Sequence, residues 1–157
     1  MSPAVLTGTG STPTIQSGEQ GAVNGKQNVQ KDSGSAGTGK PHVRLEAWKA
    51  SMDLAETVYR MTAHFPGSEQ FGLISQMRRA AISVPCNIAE GAARDSRKEF
   101  SQFLSIAKGS LSELDTQYML AVRVGCMRRD LDFEELLART SKLLTGLHKK
   151  IKGAPSS

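Results

Sequence analysis

From Arg44 onward, apolar residues recur at helical spacing. Leu45, Trp48, Met52, Ala55 and Tyr59 follow at intervals of 3, 4, 3 and 4, which places them on one stripe. Glu46, Lys49, Asp53, Glu56 and Arg60 fall on the opposite side. The pattern predicts a first helix that ends near Phe65, because Pro66-Gly67 does not continue it. Leu54, Val58 and Met61 then lie off the stripe, as exposed apolar positions for a second copy or a partner protein.

A second helix is expected over residues 69–92, with Ser68 as its N-cap and Glu69 in its first turn. Leu73, Ile74, Met77, Ala80, Ala81, Val84 and Ile88 mark its apolar face. Pro85 removes the hydrogen bond to the Ala81 carbonyl and predicts a kink, and Gly91 suits a left-handed cap at the end. Ser96-Arg97-Lys98-Glu99 has capping-box spacing and opens a third helix. That helix carries Phe100, Phe103/Leu104, Ala107, Leu111, Leu114, Tyr118 and Ala121, and Gly125 ends it. Asp130 or Asp132 caps a fourth, with Phe133, Leu136/Leu137, Thr140, Leu143/Leu144, Leu147 and Ile151 on its apolar face and Gly153 and Pro155 closing it. Four amphipathic helices on short loops predict an all-α, antiparallel up-and-down four-helix bundle.

Composition divides the chain in three. Residues 1–41 form a Gly/Ser/Thr-rich arm: of the first forty positions, 18 are Gly, Ser or Thr and none is aromatic. Such a segment cannot bury enough apolar area to offset its ordering entropy, so a disordered arm is expected. The bundle takes 42–152, and 153–157 form a disordered tail. The net charge is +5, of which the arm holds only +1, so the helical part carries the rest. No apolar run is long enough to span a bilayer, and neither a secretory signal nor an arginine-rich transit peptide is evident. Cys86 and Cys126 form no CxxC pair, so both are expected to be packing thiols in a reduced, cytoplasmic setting. His42, His64 and His148 are isolated, and there is no phosphate loop or nucleophile elbow, so neither enzyme chemistry, a metal nor a cofactor is predicted.

The central stretch carries an ordered string of motifs: Phe65-Pro66, Glu69-Gln70-Phe71-Gly72-Leu73, Gln76-Met77-Arg78-Arg79-Ala80-Ala81, Ile82-Ser83-Val84-Pro85, Asn87-Ile88-Ala89-Glu90-Gly91 and Ala107-Lys108-Gly109-Ser110-Leu111-Ser112-Glu113-Leu114. Over roughly residues 43–150 this resembles the bacterial four helix bundle protein family. That family includes proteins encoded within intervening sequences of large-subunit ribosomal RNA genes. It is more distantly related to the accessory variability proteins of diversity-generating retroelements. The resemblance implies an antiparallel bundle without enzyme activity that assembles as a homo-oligomeric ring, usually a pentamer. In the retroelement relatives a basic ring binds nucleic acid and a reverse transcriptase.

The basic residues supply candidate contacts to RNA or DNA phosphates. Arg78 is a surface candidate on the second helix. Arg94, Arg97 and Lys98 cluster at the start of the third helix, where free amides also favour an anion. Lys142, Lys149 and Lys150, on a helix with no acid after Glu135, join Arg123, Arg128 and Arg129 as the leading footprint. Arg79, Ser83, Asn87 and Glu90 share a face across Pro85, opposite Ser110, Glu113 and Gln117. Two readings fit that cluster: a structural polar network, in which Asn87 or Ser83 satisfies the carbonyl freed by Pro85, or a ligand site. Two functions follow. One is a non-enzymatic, ring-forming bundle that binds nucleic acid through a basic surface. The other is a protein-interaction scaffold, or an accessory subunit partnering a reverse transcriptase.

Overall fold

A computed structural model of the chain describes residues 39–69 and 72–153. The described residues form four helices: α1 (Glu46–Thr62), α2 (Leu73–Ala92), α3 (Arg97–Arg123) and α4 (Leu131–Gly153). No strand occurs among them. The expected arm lies outside the described residues except for its last positions, where Pro41 opens a 3-10 turn, Pro41–Arg44, ahead of α1. Of the expected tail, Gly153 is the final residue of α4, and residues 154–157 are not described.

The first helix buries only part of the stripe its large apolar residues predict. Ala55 is buried and Leu45 and Trp48 pack partly against the core, but the inward face is turned away from Met52 and Tyr59. Ala47, Ala50, Ser51, Leu54, Ala55, Val58 and Thr62 point inward. Leu54 and Val58 are fully buried, whereas Met52 and Tyr59 are 45% and 42% exposed. The inward set is equally periodic but contains two hydroxyls. Each satisfies itself: Ser51 Oγ donates to the Trp48 carbonyl at 2.7 Å, and Thr62 Oγ1 donates to that of Val58 at 2.7 Å. A hydroxyl bonded to the preceding turn enters a core at little cost, and the small Ala and Ser side chains let α1 approach its neighbours. Leu54 and Val58 are therefore core residues, and no partner-facing patch exists at those two positions.

The second helix starts later than expected. Gly67–Glu69 is a 3-10 turn, and the Glu69 carboxylate, rather than Ser68, accepts from the first helical amide, Leu73 N, at 3.3 Å. The helix runs through Pro85, which is itself buried, without interruption. Asn87 Nδ2 donates to the Ser83 carbonyl at 2.8 Å, not to the Ala81 carbonyl that Pro85 leaves without its usual donor. Gly91 is helical and serves close packing: a Cβ there would lie 2.7 Å from Phe100 Cδ2 and 2.7 Å from Phe103 Cβ. The Ile74, Met77, Ala81, Val84 and Ile88 face is buried as its spacing predicts.

The remaining caps match their signals. Ser96 Oγ accepts from Glu99 N at 3.1 Å and starts α3. At its other end Cys126 N donates to Ala121 O and Gly125 N to Val122 O, with Gly125 at φ +79°, a Schellman closure. Asp130, not Asp132, caps α4, accepting from Phe133 N at 3.0 Å.

Each helix packs along its sequence neighbours and α4 closes on α1, with no close approach between diagonal helices among the described residues. Cross-links establish the antiparallel sense. Arg78 at the start of α2 bonds Thr62 at the end of α1, Ser83 on α2 bonds Ser110 on α3, and Ser101 near the start of α3 bonds His148 near the end of α4. Leu54, Met77, Ile88, Leu104, Leu114, Phe133 and Leu144 fill the centre. The bundle thus has two distinct ends. The Ser96 end gathers the 93–96 turn, the start of α1 and the finish of α4. The Asp130 end gathers the 124–130 turn, the finish of α1 and the start of α2.

Candidate nucleic-acid interface

The Ser96 end brings together three segments far apart in sequence. Gly91 allows the end of α2 to abut Phe100 and Phe103, and the Ser96 cap turns the chain directly into α3. Arg94, Arg97 and Lys98 are exposed around that turn. The hydrogen bond between Ser101 Oγ and His148 Nε2, 2.9 Å, fixes the last turns of α4 beside them. Lys149, Lys150 and Lys152 project from this finish, all exposed, and their charge also complements the C-terminal end of the α4 dipole. The start of α1 adds Lys40 and Arg44, with His42 packed on Trp48 at 5.1 Å between ring centres. Across residues 40–49, 90–99 and 142–152, ten Lys or Arg face four Asp or Glu.

Arg94 and Lys49 are partly engaged. Arg94 pairs with Glu90 and lies over the Phe103 ring, 5.1 Å from its centre. Lys49 pairs with Glu46 at 2.7 Å. That hydrogen bond holds the Glu46 carboxyl below its ordinary range. The charge of Lys142, Lys149, Lys150 and Lys152 has no acidic residue beside it in sequence, which leaves the finish of α4 the most strongly basic segment of the bundle.

The Asp130 end is the opposite in character. Residues 56–79 and 113–135 hold six basic against eight acidic residues. Arg129, expected to meet phosphate, is bound twice by Glu134: Nε to Oε1 and Nη2 to Oε2, each 2.7 Å. This pairing holds the Glu134 carboxyl below the usual carboxylate range. The Tyr118 hydroxyl accepts from Asp130 N at 2.9 Å and lies 3.1 Å from Glu134 Oε1, which locks the 124–130 turn to α3. Burial pushes the Tyr118 phenol above its ordinary pKa. These contacts tie the turn to α3 and α4, and the turn signal Arg129-Asp130 followed by Glu134 is their trace in the sequence.

The predicted footprint is therefore divided. Arg123, Arg128 and Arg129 sit about 30 Å from Lys149 and Lys150 at the ~1.5 Å rise per helical residue. Lys149 and Lys150 instead join Arg94, Arg97 and Lys98. Arg78 is half-buried: its Nε donates to Thr62 Oγ1 at 2.8 Å and its guanidinium lies 4.7 Å from the centre of the Tyr59 ring. The α2–α3 seam carries the polar contacts. Ser83 and Ser110 hydroxyls meet at 2.8 Å and Asn87 Nδ2 donates to Ser83 Oγ at 3.0 Å. Arg79 bonds Glu113 at 3.2 Å, and Gln117 donates to the same carboxylate at 3.1 Å. That ion pair is exposed rather than buried, and Glu90 turns away from it to Arg94. Cys86 is exposed, contrary to its expected packing, and Cys126 is half-buried. Among the described residues no three His, Cys, Asp or Glu side chains come together to hold a metal. No helix among them is long and apolar enough to cross a membrane.

A family model described as 23S rRNA-intervening sequence protein matches residues 43–149. The chain belongs to this family. The match covers all of α1, α2 and α3 and most of α4, and it includes the Ser96 end from Arg44 to Lys149. Lys40, Lys150 and Lys152 lie just outside it. The 23S rRNA-intervening sequence proteins are a family of helical bundles, in agreement with the architecture above. No curated protein matches the chain.

Proposed function

We propose that this 23S rRNA-intervening sequence protein is a non-enzymatic, homo-oligomeric bundle that binds RNA through its Ser96 end. The supporting observation is the convergence there of Arg97, Lys98, Lys149, Lys150 and Lys152 from two helix termini. Lysine-rich surfaces of this kind contact the phosphate backbone without reading bases. The aromatic residues nearby, Trp48, Phe100 and Phe103, are half-buried and offer no open stacking platform, so backbone contact rather than sequence-specific recognition is expected. The family description, which names an intervening sequence of ribosomal RNA, supports RNA as the nucleic acid. Binding to a mixed RNA should be present at about 50 mM salt and weaken by about tenfold or more at about 200 mM. Absence of binding at low salt, or affinity indifferent to salt, would contradict the reading.

Assembly rests on side chains that the isolated bundle leaves open. Ile106, Met119, Leu120, Val124 and Leu131 are each about half or more exposed, from 49% to 66%, and four of them surround the Asp130 end. Contact between copies would cover them, and a ring would repeat the basic end around an axis and multiply the phosphate contacts. Light scattering should give a mass several times that of one chain, five times for a pentamer. A strict monomer would contradict the assembly.

A further inference from the structure

We propose that RNA binding at the Ser96 end is coupled to the uptake of a proton by His148, so that the contact tightens as the pH falls from about 8 to about 6. The inference rests on the RNA-binding reading above and adds regulation to the same site.

His148 sits at the junction of the basic segments, half-buried in the α3–α4 seam. The residue after it is Lys149, and Lys152 lies one turn further along the same helix. Its Nε2 is 2.9 Å from Ser101 Oγ. A serine hydroxyl accepts from an imidazole N–H in either protonation state, so the ring can gain a second proton on Nδ1 without losing this bond. Uptake needs no rearrangement of the bundle.

The charges around the ring decide when uptake occurs. From α3, Lys108 faces it; from its own helix, Lys152 does. On α1, the other helix packed against α4, the charged groups at this end are Glu46 and Lys49, and Arg44 ends the 3-10 turn just ahead of it. Glu46 is paired with Lys49, and the α4 charge that reaches it is Arg139. The second helix does not pack on α4. Burial, and then Lys108 and Lys152, keep the His148 pKa below its ordinary 6.5 in the free protein. A phosphate backbone laid across Lys149, Lys150 and Lys152 adds negative charge that offsets the positive surrounding and favours the imidazolium. By linkage, a ligand that raises a group's pKa binds more tightly where the group is protonated. A rise of one pKa unit corresponds to a tenfold limit in affinity.

The test measures affinity of a labelled oligouridylate for wild-type protein and His148→Gln at low salt, at about pH 8 and about pH 6. Glutamine keeps a donor for Ser101 and does not titrate. Wild type should gain roughly threefold to tenfold on acidification, while the affinity of His148→Gln, whatever its level at pH 8, should change by less than about twofold between the two pH values. Equal gains in both proteins would assign the effect to His42, His64 or general charge and overturn the inference. Binding without any pH dependence would overturn it alone, whereas absence of binding at both pH values would overturn the RNA-binding reading with it. Should His148→Gln fail to fold, NMR titration of the wild-type imidazole decides the same question. Its pKa must rise when oligouridylate is added, and an unchanged value refutes the coupling.

Discussion

Two glycines in neighbouring helices show how one residue type takes opposite roles. Gly91 makes the α2–α3 crossing possible, since a Cβ would press into Phe103 Cβ, an atom that cannot swing away, and into the Phe100 ring. Gly109, exposed in the middle of α3, has no atom within 4 Å of its would-be Cβ. Gly91→Ala should therefore destabilise the bundle by about 1–3 kcal/mol through overpacking. Gly109→Ala should stabilise it by roughly 0.5–1 kcal/mol through helix propensity. Denaturant midpoints of the two variants check both signs. From sequence alone Gly91 reads as a terminal cap, because its position near the helix end permits one. What separates a cap from a packing glycine is the neighbour across the interface, and Phe100 and Phe103 become that neighbour only once the turn has folded. Gly125 is legible, because a cap is a local matter of backbone and φ.

At the scale of elements, α3 and α4 are readable almost residue by residue, whereas the apolar pattern of α1 is turned from the buried face, so that Ala55 is buried but Met52 and Tyr59 are exposed. In α3 and α4 the predicted stripes hold Leu104, Leu111, Leu114, Tyr118, Phe133, Leu137 and Leu144, all of them buried, and both N-caps lie in local sequence at Ser96 and Asp130. In α1 two stripes share helical spacing, and the larger side chains are on the outer one. Hydrophobicity alone favours Met52 and Tyr59. The inner stripe prevails because Ala47 and Ala50 permit close approach and Ser51 and Thr62 bond their own backbone, with Ala55 at the border of the two. Substitutions can tell the stripes apart. Leu54→Ala should cost about 2–5 kcal/mol, the usual loss for a fully buried leucine. Met52→Ala should change stability by no more than about 0.5 kcal/mol in the monomeric state. Comparable losses at the two positions would place the core on the other face of α1.

The whole molecule is electrostatically polar, and this is the least legible property in the sequence. The basic residues are all visible there, but their grouping depends on which helix ends meet. Proximity along the chain suggests joining Arg128 and Arg129 to the α4 lysines. Antiparallel packing instead sends Lys149 and Lys150 to the Ser96 turn and leaves Arg129 clasped by Glu134. A net charge of +5 thus conceals one strongly basic end and one slightly acidic end. The most direct test reverses charge at one end at a time. Lys149→Glu/Lys150→Glu and Arg123→Glu/Arg128→Glu alter the net charge equally, so any difference between them is a difference of place. At low salt the lysine pair should lose about tenfold or more in RNA affinity, with a shallower salt dependence, and the arginine pair should change by less than about twofold. Equal losses, or a larger loss from the arginine pair, would contradict an interface at the Ser96 end.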